Sequence, residues 1–227
     1  MLLTIIVPVY NEGKTLNKII EKLISLPIDK QIIAVDDAST DNSAEILDNY
    51  ARSGKILLLH QEKNQGKGFA IRMGLEKAEG DFTVIQDADL EYDPDDIIRL
   101  LNAAQEKNAA AVFGSRIANP QSGKSYYRYY WGGKLLTVLA NLLYGINLTD
   151  ESTCYKMIKT ELLKSLNLQS RRFEFCPEVV SRLGKRKIKI YEIPINYYPR
   201  KIREGKKIRW YDGAIAIWTL IKYRLFS

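Results

Sequence analysis

Two carboxylates one residue apart, Asp87-Ala88-Asp89, follow an apolar strand-like run at Phe82–Gln86. At that spacing both can reach one Mg²⁺ or Mn²⁺ and the diphosphate it carries, and the metal would neutralise phosphate charge as a leaving group departs. Acidic triplets are common, so this one takes its meaning from its company. Asn11 and Glu12 follow a first apolar run, Leu2–Val9, and Asp36 and Asp37 follow a second, Gln31–Val35. Acidic groups at three successive strand ends are too many to be helix caps alone, a task that Ser39, Asp41 and Ser43 can perform. Gathered around one crevice, they suit a hydrated divalent cation and a ligand rich in hydroxyls. His60 is the only histidine and has no Cys or Ser partner in a motif; neither cysteine belongs to a C-x-x-C pair. That pattern argues against a catalytic triad, a zinc site and a disulfide framework.

Hydrophobic periodicity predicts the elements that carry these residues. Leu16, Ile19, Ile20, Leu23 and Ile24 recur at helical spacing before Pro27, and Ile46, Leu47 and Tyr50 mark a second helix. Ile56–Leu59 reads as a strand, Phe69–Ala78 as a helix, Asp95–Lys107 as a helix and Ala110–Phe113 as a short strand. Strands joined by such helices imply a parallel sheet covered on both faces, with ligands beyond the carboxyl ends of the strands. Further along, helices are expected at Trp131–Tyr144 and Tyr211–Phe226, and short strands at Tyr155–Ile158, Ile188–Ile193 and Ile195–Tyr198. No linker or repeat interrupts the 227 residues, so one domain is expected.

A content of 46% apolar and 10% aromatic residues excludes disorder. The longest apolar stretches, Leu135–Leu143 and Ala214–Ile221, are shorter than the roughly 18 residues of a membrane span. With no basic segment before the first strand to suggest a secretory signal, a cytoplasmic protein is the expectation. The net charge is +7, and Arg182–Arg209 alone holds eleven Lys or Arg against Glu192 and Glu204. Such a segment favours an anionic partner: nucleic acid, a phosphorylated small molecule or a membrane surface. The run Tyr126-Tyr127-Arg128-Tyr129-Tyr130 could stack bases. A nucleic-acid binder would leave the ordered acidic motifs without a role, so no nucleic-acid partner is expected. Gly66-Lys67-Gly68 fits neither the P-loop nor the dinucleotide fingerprint. It reads instead as a helix start that lets backbone pass close to a ligand.

Pro8-Val9-Tyr10-Asn11-Glu12, Val35 to Asp41, Asn64 to Gly68, Asp87-Ala88-Asp89 and Gly114-Ser115-Arg116 occur in this order. Together they resemble glycosyltransferase family 2, inverting enzymes of the GT-A fold that use nucleotide sugars. Thr149 to Lys156, Phe173 to Glu178 and Arg200 to Gly213 resemble its polyprenyl-phosphate branch, which includes dolichyl-phosphate mannose synthase. The resemblance implies a single α/β, Rossmann-like domain with a mostly parallel sheet. About 1–116 would form the nucleotide-sugar half and about 117–227 the acceptor half.

By motif match, Pro8, Tyr10, Glu12, Val35, Asp37, Asp87, Ala88 and Asp89 would contact the donor, a GDP- or UDP-sugar, and Arg200 and Lys206 its diphosphate. Asp89 would be the principal ligand of Mg²⁺ or Mn²⁺, with Glu91 a second, at a position where relatives often carry Gln. Arg116 would bind an acceptor phosphate, with Arg128 a further candidate. Such an acceptor is already anionic and needs no base. A soluble enzyme acting on a glycan or protein hydroxyl is the alternative, and there Asp150 would take the proton. For the first reading, Trp131–Tyr144 and Tyr211–Phe226 could lie in the membrane interface, at the cytoplasmic face.

Overall fold

The computed structural model describes residues 1–123, 127–200 and 210–226, the side chains of 127, 128 and 210 excepted. The chain alternates β1 (Leu3–Val9), α1 (Leu16–Ser25), β2 (Lys30–Asp36), α2 (Ser43–Arg52), β3 (Leu57–His60), α3 (Lys67–Glu76) and β4 (Phe82–Ile85). It continues with α4 (Asp95–Glu106), β5 (Ala111–Ser115), α5 (Tyr127–Tyr144), β6 (Lys156–Lys159), α6 (Thr160–Ser165), α7 (Phe175–Lys185), β7 (Ile190–Pro194) and α8 (Trp210–Leu225). The strands form one sheet in the order β3-β2-β1-β4-β6-β5-β7.

β1 is central. Leu3 to Val7 and Val9 are buried, as a strand covered on both sides must be. It pairs in parallel with β2 and β4, because the helical crossovers return the chain to the same end of the sheet each time. β6 runs antiparallel to both of its neighbours, β4 and β5. The sheet is therefore mostly parallel, as expected.

Two differences from the expected elements have simple causes. Ile195–Tyr198 is not a strand: Tyr197 makes one isolated bridge to Tyr92, and Ile195 and Tyr197 are buried as single plugs. Alternation alone does not distinguish that from a short strand. The unanticipated α7 buries Phe175, Val179, Val180 and Leu183, a helical spacing that was present in the sequence.

The loops at the carboxyl ends of β1, β2 and β4 each turn on a left-handed residue: Asn11 at φ 51°, Ala38 at φ 57° and Leu90 at φ 60°. For Ala and Leu this conformation costs roughly 1–2 kcal/mol, so the three loops are held in shape by their surroundings. The bonds that do so are visible. Ser39 Oγ accepts from the Asn11 amide, Ser43 Oγ from Glu12 and Asp41 from Gly13. Asn42, not one of the three anticipated residues, occupies the N-cap position of α2. Asp41 does accept the amide of Ser43, the first residue of α2, at 2.9 Å, and Ser39, Asp41 and Ser43 also tie the β1 loop to the β2 loop.

Candidate active site

Beyond the carboxyl end of β4, Asp89 and Glu91 face Glu12 from the end of β1. One guanidinium joins them. Arg200 donates to Glu12 through Nη1 and Nη2 at 3.0 and 3.3 Å, and to Asp89 through Nη2 at 2.8 Å. Its Nε lies 3.9 Å from Glu91 and is buried without a hydrogen-bond partner. Burial, reinforced by Asp87 and Glu91 and opposed by Arg200, pushes the Asp89 carboxyl up to about 7. The cluster thus holds more negative charge than a single Arg offsets, and all its donors are hard carboxylate oxygens. That donor chemistry fits a small divalent cation, for which one or two protein carboxylates suffice when a substrate phosphate completes the shell. Among the described residues, no three His, Cys, Asp or Glu side chains converge into a complete protein cage.

Glu91, the expected second metal ligand, is held by two hydrogen bonds. Its Oε2 accepts from the Tyr197 hydroxyl at 2.7 Å and its Oε1 from the Arg200 amide at 2.9 Å. Both oxygens already anchor the 197–200 segment over the site. Asp37 is likewise committed, accepting the amides of Gln65 and Gly66 at 2.7 and 2.8 Å, so it shapes the loop before α3. Burial raises its pKa, and those two amides lower it in part. The side chain of Val35 belongs to the core at 0% exposure. Ala88 is buried too, and its carbonyl accepts from Thr15 Oγ1 at 2.6 Å. Pro8, Tyr10 and Glu12 are part-exposed on the rim.

Lys67, part of a helix start by its sequence, stands at the site. Its Nζ lies 2.5 Å from Asp87 Oδ1 and 3.4 Å from Cys154 Sγ. Burial opposes ionisation of Asp87, but the Lys67 ammonium outweighs it and holds that carboxyl below its usual range. The two carboxylates of the D-x-D are therefore pushed in opposite directions. The flanking glycines, expected to let backbone pass close to a ligand, have chain packed against them. A Cβ on Gly66 (φ +97°) would sit 2.6 Å from the Arg171 carbonyl oxygen, and one on Gly68 2.8 Å from that of Arg172. They make room for the chain at 170–172.

On the other side, at the end of β5, Arg116 and Asp150 form a two-pronged ion pair. Arg116 Nε and Nη2 each donate at 2.7 Å to a different Asp150 oxygen, and the Arg116 amide adds a third bond at 3.0 Å. Burial would raise the Asp150 pKa, but Arg116 outweighs it and the carboxylate stays below its usual range. Asp150 is 1% exposed. A carboxylate so held is a poor proton acceptor. The guanidinium also lies 5.1 Å over the ring of Tyr197, the residue bonded to Glu91, so the Arg116–Asp150 pair and the Glu91 cluster meet through one buried tyrosine. The side chain of Arg128 and all of Lys206 lie outside the described residues. His60 is a surface residue, 3.4 Å from Asp36 and 3.3 Å from Asp48.

Residues 4–166 match the family model "Glycosyl transferase family 2". The chain belongs to that family. It is 32% identical over 213 residues, 86% of this chain and 84% of the relative, to the UDP-N-acetylglucosamine–dolichyl-phosphate N-acetylglucosaminyltransferase of Methanococcus voltae. It is 30% identical to the undecaprenyl-phosphate mannosyltransferase of Micrococcus luteus, covering 97% of both. It is 29% identical to the low-salt glycan biosynthesis hexosyltransferase Agl6 of Haloferax volcanii, where 99% of this chain spans 53% of the relative's length. Among solved structures, it resembles glucosyl-3-phosphoglycerate synthase from Mycobacterium tuberculosis in complex with Mn²⁺, UDP and phosphoglyceric acid. That likeness has a TM-score of 0.70 at 18% identity over 100% of this chain and 79% of the other. S. aureus TarS 1–349 with UDP-GlcNAc gives 0.64 at 17%, over 98% and 67%. The family 2 chain has the GT-A fold.

Proposed function

We propose that this family 2 glycosyltransferase moves a sugar from a nucleotide-sugar donor to a polyprenyl phosphate, in one inverting displacement aided by a divalent cation. The observation that carries this reading is the Arg116–Asp150 pair. The carboxylate that would serve a hydroxyl acceptor as base is occupied by a guanidinium, whereas a phosphate acceptor brings its own negative charge and needs only a cation to hold it. The names of the Methanococcus and Micrococcus relatives point the same way.

In this mechanism Asp89 would hold Mg²⁺ or Mn²⁺, which would supply positive charge to offset that of the departing diphosphate. Arg200 exchanges carboxylates for that diphosphate, a planar donor fork being suited to both. Tyr10 and Pro8 offer part-exposed faces to the nucleoside. Arg116, fixed by Asp150, orients the acceptor phosphate for in-line attack, and the buried Tyr197 keeps Arg116 and Glu91 at a constant separation. A single displacement inverts the anomeric configuration.

The surface supports a membrane-borne acceptor. Trp131, Leu135, Val138 and Leu142 recur on one side of α5 at 48–80% exposure, and Trp218 and Leu225 of the adjoining α8 are 56% and 66% exposed. Lys134 lies 5.2 Å over the Trp131 ring. Apolar stripes edged by Trp and Lys suit the headgroup level of a bilayer. Among the described residues, no helix is long and apolar enough to cross one. The test is transfer from a panel of GDP- and UDP-sugars to short-chain prenyl phosphate and, in parallel, to soluble glycans. Transfer to the glycans alone would overturn the proposal.

A further inference from the structure

The Lys67–Asp87 pair has a built setting. Lys67 is the first residue of α3, and the loop before it is clamped from two sides. Asp37 accepts its Gln65 and Gly66 amides, and the segment at 170–172 packs against its glycines, with the Phe69 amide donating to the Arg171 carbonyl at 3.0 Å. That segment is held in turn by buried Glu178, which accepts the amides of Gln169 and Ser170. The Lys67 side chain keeps 23% of its surface and that of Asp87 18%, so the pair is part-buried beside Asp89 and not sealed from solvent. Asp89, two residues on, has no lysine partner among the described residues; its cation is Arg200, which the proposed function frees when donor arrives.

We propose that Lys67 is a positioning residue of the donor site: it holds Asp87 as a compensated ion pair, so that the D-x-D turn presents Asp89 alone to a divalent cation and keeps Asp87 as a hydrogen-bond acceptor for donor hydroxyls. The role rests on the glycosyl-transfer reading above and assigns the two acidic residues different duties. Without the ammonium, and once Arg200 has turned to the diphosphate, the turn carries two uncompensated carboxylates. They compete for one cation and repel the diphosphate.

This makes two effects of opposite sign. In Lys67→Met, Mn²⁺ binding without nucleotide, followed by the loss of free-ion electron paramagnetic resonance signal, should tighten at least threefold. Binding of UDP or GDP in the presence of Mn²⁺, by titration calorimetry, should weaken at least tenfold. A purely structural lysine would weaken both. The variant Lys67→Met/Asp87→Asn removes both charges at nearly constant volume and guards against misfolding. In it the Mn²⁺ gain should vanish, and nucleotide binding should equal that of Asp87→Asn within threefold. Unimpaired nucleotide binding by Lys67→Met, weakened Mn²⁺ binding, or losses that multiply in the double variant would overturn the role of Lys67. A wild-type protein that binds neither nucleotide would overturn the donor reading itself, and this inference with it.

Discussion

Replacing Arg116 with Ala tests the acceptor side most directly, and its effect on stability and on turnover can be worked separately. The substitution strips Asp150, 1% exposed, of two side-chain bonds at 2.7 Å and leaves only the backbone amide at 3.0 Å. Breaking a buried pair by removing one partner costs about 3–5 kcal/mol. Arg116 keeps 21% of its side-chain surface in water, which lets solvent reach the orphaned carboxylate and favours the lower end, about 3 kcal/mol. In a domain of this size that lowers the melting temperature by roughly 6–12 °C. Turnover is then measured well below the transition, with the folded fraction checked by circular dichroism. Loss of one charge-assisted bond to a phosphate removes about 1.5–3 kcal/mol, a fall of roughly 10–150-fold in kcat/KM for short-chain prenyl phosphate. Donor binding should change by less than threefold, since Arg200 is untouched. Asp150→Asn keeps the guanidinium and one carbonyl acceptor, so it should hurt transfer less than Arg116→Ala. An inactive Asp150→Asn beside a near-normal Arg116→Ala would refute the reasoning and identify the acceptor as a hydroxyl.

Asp89→Ala should abolish transfer while leaving the circular dichroism spectrum unchanged, because its side chain lines the site and is 15% exposed; excess EDTA should do the same to the wild type, and full activity in EDTA would defeat the metal-assisted mechanism. Gly68→Ala should destabilise by about 1–3 kcal/mol, read by urea unfolding, because the new methyl meets the Ser170 and Arg172 carbonyl oxygens at 2.9 and 2.8 Å and backbone cannot step aside. The lowered pKa of Asp150 sets an acid limit. A depressed carboxylate contributes stability that is complete above its unfolded value, about 3.9, and is lost as pH falls through the lower folded value. Asp150→Asn should therefore flatten the dependence of stability on pH below about 4 in denaturant titrations, and an unchanged slope would place that dependence elsewhere.

The alternation of strands and helices up to residue 115, the acidic loops at three strand ends and the D-x-D were legible in the sequence because each is local. A buried strand, an amphipathic helix and a short-range motif are written within a dozen residues. The duties of the individual acids were not local. Asp37 and Glu91 read as ligand contacts by their positions, and the fold also makes them loop anchors, because amides 28 and more than 100 residues away fall within bonding distance. Asp150, the base of the alternative hydroxyl-acceptor reading, has both its oxygens bonded by Arg116, which β5 brings across 34 residues. Lys67 read only as part of a helix start, and its ion pair with Asp87 spans 20 residues that the fold alone brings together. Residue type and spacing determine which chemistry is on hand. A carboxylate's protonation and freedom to bind depend on burial and on the nearest opposite charge, and those distances exist only once the chain is folded.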